Sequence, residues 1–558
     1  MTLFPSQIYL WLMLSLLVSP DDLVAGNLRP HAPVDQSDAQ KWRDDLRFMA
    51  EEMPKAHRNL FHSTSREQFY TAVESLNKRI PTLARHEIIL EMARIVAMVG
   101  DGHTNISPTR DPKIGFHSYP IRLYFFDDGL FVRAASREYA DLVGSRVVGI
   151  GDSTVEQAYS AVRSIIGRDN EMGARFFAPF LLAMPEVLHA LHIIDNMDKT
   201  RFTIERHGER KEVVLSKAEP ADMLPPDTDT SWRLKTGWVD ARESGQAPFP
   251  LWLHDPLNTF WYEYLPESGT VYVQFNQVAN KDTETVEAFS QRLFDFAEAA
   301  PVARFVLDLR LNRGGNGELN RPLLLGIIRC TRIDRKGKFF TIIGRSTWSA
   351  AQFLVNDLER FTNTIFVGEP TGGKVNSYGD SRKITLPNSG ITVRVSTLWW
   401  QQDERDRRPW TAPQVAADLS FEDYRNSIDP ALQAILQYAP EEPLSRLLMK
   451  SLSMDEPAAL IDAYGKWKAS PVNKYLDAEP ELNTLGYQLL GMKRTTEAIA
   501  VFSLCVDEFP LSANAHDSMG EAYIQAGQPE SAIRHYRKSL ELNPGNRHAV
   551  EMLHRLGK

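Results

Sequence analysis

Apolar positions behind two serine capping signals open the readable pattern. Ser37 with Gln40 reads as a capping box, Trp42, Leu46, Met49 and Met53 follow at helical spacing, and Pro54 is expected to stop that helix. Ser65 with Gln68 opens a second stripe of Phe69, Val73, Leu76 and Ile80, and a third, from Ile88 to Val99, runs into a polar loop at 100–104 (GDGHT). Residues 36–110 therefore predict a helical domain. Between 114 and 218 the period shortens to that of strands (IRLYFF, GLFVRA, RVVGI), with one helix near 154–166 and a final hairpin turning at His207 and Gly208. This predicts a compact mixed domain. Residues 219–268, rich in Pro and Asp at their start, predict a linker and connecting segment.

From 269 to 440 strands and helices alternate. VYVQF, a helix carrying Phe289, Leu293 and Phe296, RFVLDLR, a helix after Glu318, FFTIIG, a helix from Ser349 and TIFVG follow one another. Such alternation predicts a layered α/β domain with a largely parallel sheet. KITLP and ITVRVSTLWW are expected to finish the domain and a helix at Asp429 and Pro430 to close it. The tail repeats itself: a shift of 34 residues superposes Gly486 on Gly520, Ala498 on Ala532, Ile499 on Ile533, Phe502 on Tyr536 and Pro510 on Pro544. That is the tetratricopeptide period, so residues 478–556 predict paired repeat helices and 441–477 a helical connector or degenerate repeat.

A chain of 558 residues calls for several such domains. Its net charge of −9, without a long basic block, sets nucleic acid aside as a partner. Cys330 and Cys505 are too few for a disulfide framework or a thiolate metal site. His189 and His192 lack the companions of a zinc motif, and no phosphate-cradling loop is present, so neither metal nor cofactor is expected. The apolar run at 8–18, followed by small residues up to Gly26, reads as a signal peptide over 1–26. An exported, periplasmic or extracellular protein is therefore expected, with no stable membrane insertion after removal of that segment.

Three polar loops interrupt apolar elements with residues a hydrolase could use: GDGHT (100–104), DLRLNRGGNG (308–317) and GRSTWSAAQ (344–352), with EPTGGK (369–374) close behind. In this order the four loops resemble the carboxy-terminal-processing, or tail-specific, serine peptidases, relatives of the tricorn core protease. The likeness runs over roughly residues 38–436. It implies a spiral catalytic domain similar to crotonase and the Clp peptidase, a PDZ-like module over 114–218, and hydrolysis of extended or unfolded polypeptides. The nucleophile of such enzymes falls on Ser349, at the junction of a strand and a helix, where backbone N–H groups lack intrahelical partners. The amide of Ala350 is then one oxyanion donor, and Gly314 and Gly315 are expected to supply another.

Two residues could serve as base. Lys374 matches the lysine of a Ser/Lys dyad and is the first choice; its pKa would have to fall by about three units in a dry site. His103 is the alternative, matching the histidine of the tricorn branch and needing almost no tuning. Tyr378 stands where the processing peptidases carry a glutamine. Asp403, Glu404 and Asp406 read as part of a solvated run, and Asp308 as a strand-end hydrogen-bonding residue. A polypeptide substrate and a protein partner for the repeat tail follow from the resemblance. The competing reading is an inactive protein- or ligand-binding scaffold.

Overall fold

The computed structural model describes residues 33–218, 232, 237–244, 248–440, 442–452 and 457–557. The expected signal peptide, and much of the start of the expected linker, lie outside them. Among the described residues no helix is long and apolar enough to cross a membrane.

Helix α1 (Gln36–Ala56) starts earlier than the Ser37 box suggests, because Asp35 caps it by accepting from the Asp38 N–H at 2.8 Å. It also runs through Pro54. The missing N–H falls in the last turn, and the His57 N–H still closes on the Met53 carbonyl. Helix α2 (Arg66–Arg79) has the Ser65–Gln68 box, and α3 (Arg85–Ala97) carries the third stripe. Next comes an antiparallel sheet of β1 (Ile121–Phe126), β2 (Gly129–Ser136), β3 (Arg146–Ile150), β4 (Ser153–Thr154), β5 (Lys199–Arg206), β6 (Glu209–Ser216) and β7 (Trp238–Asp240). Its order is β1-β2-β3-β5-β6, with β4 beside β3 and β7 beside β2. The last hairpin turns where expected, with His207 and Gly208 both at positive φ. Thr154 caps α4 (Val155–Arg163), and the apolar helices α5 (Glu171–Leu181) and α6 (Pro185–Ala190) fill the space beside it.

The N-terminal helices and this sheet share one hydrophobic core: Met49, Phe69, Ile88 and Val96 pack in the same cluster as Ile121, Val147 and Phe202. The two regions expected as separate domains are therefore welded together.

The second sheet runs β15-β12-β11-β10-β9-β8, comprising β8 (Phe260–Leu265), β9 (Thr270–Phe275), β10 (Arg304–Asp308), β11 (Phe339–Ile343), β12 (Ile365–Gly368) and β15 (Val415–Ala416). It is parallel except for β8. Alternation along β10 shows why. Phe305 and Leu307 face α7 (Val286–Ala299), α8 (Asn320–Arg329) and α9 (Ala350–Phe361), while Val306 faces α11 (Pro430–Leu436) on the other side. Two expectations change here. Residues 219–268 are no simple linker, since they supply β7 to one sheet and β8 to the other. KITLP and ITVRVSTLWW do not finish the parallel sheet. They form a hairpin of their own, β13 (Ser377–Thr385) and β14 (Thr392–Trp400), whose Ile384, Val393 and Val395 join the core of the N-terminal helices. The helix α10 (Phe421–Arg425) precedes α11, which Asp429 caps as expected.

The tail comprises α12 (Leu444–Leu452), α13 (Pro457–Ala469), α14 (Glu479–Gly491), α15 (Thr495–Glu508), α16 (Ala513–Gln525), α17 (Pro529–Leu542) and α18 (Arg547–Arg555). The repeat register has a steric cause. A Cβ on Gly486 would stand 2.4 Å from the Phe502 ring, and one on Gly520 2.7 Å from Tyr536. Lys474, between α13 and α14, bonds Asp127 at 2.5 Å and Asp418 at 2.9 Å, tying the tail to the body.

Candidate active site

Ser349 stands between β11 and α9 with φ 56° and ψ −128°, a conformation non-glycine residues rarely adopt. Its surroundings hold it there. Thr347 Oγ1 accepts from the Gly344 N–H and donates to the Leu309 carbonyl, closing the turn. The Arg345 guanidinium pairs with Glu369 and donates to the Phe125 carbonyl at 2.7 Å. Burial alone would lower the Arg345 pKa, but the Glu369 carboxylate raises it above its usual value. Glu369 therefore locks the EPTGGK loop to the turn before Ser349. Such a strained residue at a strand-to-helix turn presents its hydroxyl outward, the geometry of a nucleophile elbow.

Behind Ser349 the chain from 312 to 316 packs on the turn. A Cβ on Gly314 would fall 2.7 Å from the Ala350 nitrogen and 2.7 Å from Ser349 Cβ, so only glycine allows this approach. Of the three expected oxyanion donors, Gly314 is excluded: its N–H donates to Asn312 Oδ1 at 2.9 Å. Val278 bonds the Gly314 carbonyl and the Asn316 N–H, which turns the Gly315 N–H away from that strand. Among the described residues, neither the Gly315 nor the Ala350 N–H has a hydrogen-bond partner.

The structure brings His103 to Ser349 and does not bring Lys374. His103 Nε2 lies 3.2 Å from Ser349 Oγ. Its ring stacks on Trp348, with centroids 3.9 Å apart and planes at 21°. Trp348 in turn donates from Nε1 to Asp169 Oδ2 at 2.7 Å, and Asp169 Oδ1 accepts from the Gly102 N–H at 3.0 Å. Asp101 Oδ1 accepts from the N–H groups of His103 and Thr104 and from the Ser396 hydroxyl, while Oδ2 meets His57 Nε2 at 2.9 Å. His57 Nδ1 accepts from the Asn59 N–H, so Nε2 carries its proton and donates to Asp101. Desolvation would raise the Asp101 pKa, but these bonds win and hold it below the usual carboxylate range. The GDGHT loop is thus held by a carboxylate at its second residue and by an indole across from its fourth.

Burial lowers the His103 pKa below 6.5, opposed by Asp169, Asp101 and Asp380 and by the facing Tyr378 carbonyl. Its Nδ1 is buried without a full hydrogen bond. Asp169, fully enclosed, is raised above its ordinary value by desolvation, with His103 opposing. Lys374 is partly exposed. Its backbone is fixed by neighbours, Asn170 and Thr371 bonding the Gly373 carbonyl and Asn356 that of Val375. Its ammonium is felt by His62, whose pKa is lowered chiefly by burial. Among the described residues no hydrogen bond or ion pair joins Lys374 to Ser349.

Tyr378 leans its ring on His57, His62 and Trp399. Asp406 is engaged by Arg408, which also pairs with Glu359 at the surface. Asp308 accepts from the Tyr272 hydroxyl and pairs with Arg310, a strand-end role. At the lip of the site Trp400 packs on Phe353, the fourth residue of α9, with centroids 5.2 Å apart, and Leu398, Trp399 and Trp400 remain exposed. Among the described residues two groups of side chains could offer three ligands to a metal, His86 with Glu87 and His189, and Asp517 with Glu521 and His548. Neither includes a residue of the Ser349 site. Sequence reasoning missed Trp348, Asp169 and Asn312. Trp348 and Asn312 lie within loops already singled out, and Asp169 lies in none of them.

A tetratricopeptide repeat family model matches residues 513–546. No curated protein matches the chain in sequence. Among solved structures, mature CPAF complexed with lactacystin is similar at 11% identity and a TM-score of 0.50, covering 71% of this chain and 97% of that one. Mature CPAF is similar at 12% identity and a TM-score of 0.50, over 75% and 98%. The photosystem II D1 C-terminal processing protease matches at 13% identity and a TM-score of 0.34, over 72% and 97%. The chain shares the fold of CPAF.

Proposed function

We propose that this protein is a serine-type endopeptidase acting on extended or unfolded polypeptides, with Ser349 as nucleophile and His103 as general base. The observation that carries the reading is the 3.2 Å approach of His103 Nε2 to Ser349 Oγ. The lowered pKa keeps the imidazole neutral near pH 7, ready to accept the hydroxyl proton as Oγ attacks the scissile carbonyl. The tetrahedral oxyanion then faces the N–H groups of Ala350 and Gly315, each typically worth about 3 to 4 kcal/mol of barrier. His103 returns the proton to the leaving amine, an acyl-enzyme remains on Ser349, and water activated by the same imidazole releases it. Lys374, partly exposed and without a hydrogen bond to Ser349 among the described residues, has no part in these proton transfers.

The fold shared with CPAF and the resemblance of the four loops support the peptidase reading. They also support reading the antiparallel sheet as PDZ-like and the catalytic domain as a crotonase-like spiral. The tetratricopeptide tail is read as a protein-binding module, and export through residues 1–26 belongs to the same proposal. The test is cleavage of an unstructured polypeptide by the full chain. The parent should cut it and Ser349→Ala should not, with an unchanged melting profile. A variant that still cuts at the parental rate, or a parent that never cuts, would sink the reading in favour of a scaffold.

A further inference from the structure

A pocket of about 80 Å³, partly open to solvent, lies between the antiparallel sheet and the carboxyl ends of β10, β11 and β12. Four arginines line it. Three have carboxylate partners: Arg310 grips Asp429 with two bonds of 2.9 Å, Arg345 pairs with Glu369, and Arg133 lies 3.9 Å from Asp240 and 3.2 Å from the Tyr424 hydroxyl. Arg122, on β1, is the exception. Among the described residues its Nε, shielded from solvent, has no hydrogen-bond partner, and the Phe180 ring lies 5.8 Å from Cζ. Burial, with the like charge of Arg133, pushes the Arg122 guanidinium down to about 9.

A half-buried cation with no carboxylate partner among the described residues is costly to keep. The walls around it are apolar: Leu123, Phe176, Pro179, Phe180 and Trp252. The carboxyl ends of parallel strands are where layered α/β domains receive ligands. We infer that this chamber binds a ligand carrying one carboxylate on a compact apolar body, with Arg122 as its counter-charge and the aromatic walls around the body. A guanidinium fork matches a carboxylate in two bonds, whereas a multiply charged inorganic anion would leave the apolar walls unused. The inference does not depend on the peptidase reading. The turn 344–348 separates the chamber from Ser349, and Arg345 and Ser346 line the chamber from that turn.

The test uses the full chain, benzoate as the probe and inorganic phosphate as the contrast, followed by calorimetry and thermal melting. Benzoate should bind and raise the melting temperature. Arg122→Met should weaken benzoate at least about tenfold, the loss of a charged hydrogen-bonding partner. Arg122→Lys, which keeps the charge without the fork, should fall between. Without ligand, Arg122→Met should melt at or above the parent temperature, because the uncompensated charge is gone, and fluorophosphonate labelling of Ser349 should not change. No heat with benzoate, equal affinity in Arg122→Met, binding of phosphate alone, or an Arg122→Met chain that melts well below the parent would each overturn the inference.

Discussion

Trp348 and His103 lie face to face, centroids 3.9 Å apart, so the residue before Ser349 is also the platform of the imidazole that faces it. The two residues come from loops separated by more than two hundred positions. One indole fixes both partners, because its Nε1–H is anchored on Asp169, and Asp169 holds the Gly102 N–H beside His103.

Removing that platform should damage turnover more than binding. Trp348→Ala is expected to lower kcat by about a hundredfold with a smaller change in KM, since misplacing a reacting group by about 1 Å costs on that order. Trp348→Phe keeps a ring face without the N–H and should lose less. Steady-state kinetics on a quenched-fluorescent peptide measures this, and parental kcat in Trp348→Ala would refute the platform role.

The pH profile follows from the direction of the His103 shift. With the neutral imidazole as the proposed base and its pKa lowered by burial, activity should be lost only as pH falls through that lowered value. The acid limb of kcat/KM should therefore lie below pH 6.5. Asp169→Asn removes a carboxylate that raises the His103 pKa and should move the limb lower still. A limb above 6.5, or one that moves upward in Asp169→Asn, would contradict this assignment.

The backbone of Ser349 should show its strain in stability. Glycine accepts φ 56° and ψ −128° freely, whereas alanine does not. Ser349→Gly and Ser349→Ala should both be inactive, with the glycine variant more stable by about 1 kcal/mol or more. Chemical denaturation compares them, and an alanine variant of equal or greater stability would remove the strain argument.

The aromatic lip formed by Phe353 and Trp400 offers a surface for apolar substrate side chains. Trp400→Ala should raise KM about tenfold for peptides with a large apolar residue near the cut, and little for alanine-rich ones, as loss of one buried contact implies. Equal KM values for both peptide classes would dissociate the lip from recognition.

Much of this arrangement is legible in the chain. The strand and helix flanking Ser349, the βα order, and the glycine-to-aromatic register of the tail each follow from local spacing. Helices α5 and α6 escape that reading because they are short, with Pro179 inside one and Pro185 opening the other. The β13–β14 hairpin shows alternation, but only tertiary packing decides that Val393 and Val395 leave the sheet for the N-terminal core. The approach of His103 escapes that reading for a similar reason. Lys374 is near Ser349 in sequence and His103 is far, yet Asp101 and Trp348 fold the distant loop onto the hydroxyl, while among the described residues no hydrogen bond joins Lys374 to it. Gly314 is lost as a donor through one side chain, Asn312, whose reach no spacing reveals.

Whether His103 activates Ser349 is read by mass spectrometry of the fluorophosphonate adduct on the parent, His103→Ala and Lys374→Ala. A label is expected on Ser349 in the parent, with near-normal labelling in Lys374→Ala and almost none in His103→Ala. An unlabelled parent, a label on another serine, or labelling that survives in His103→Ala and vanishes in Lys374→Ala would contradict that activation.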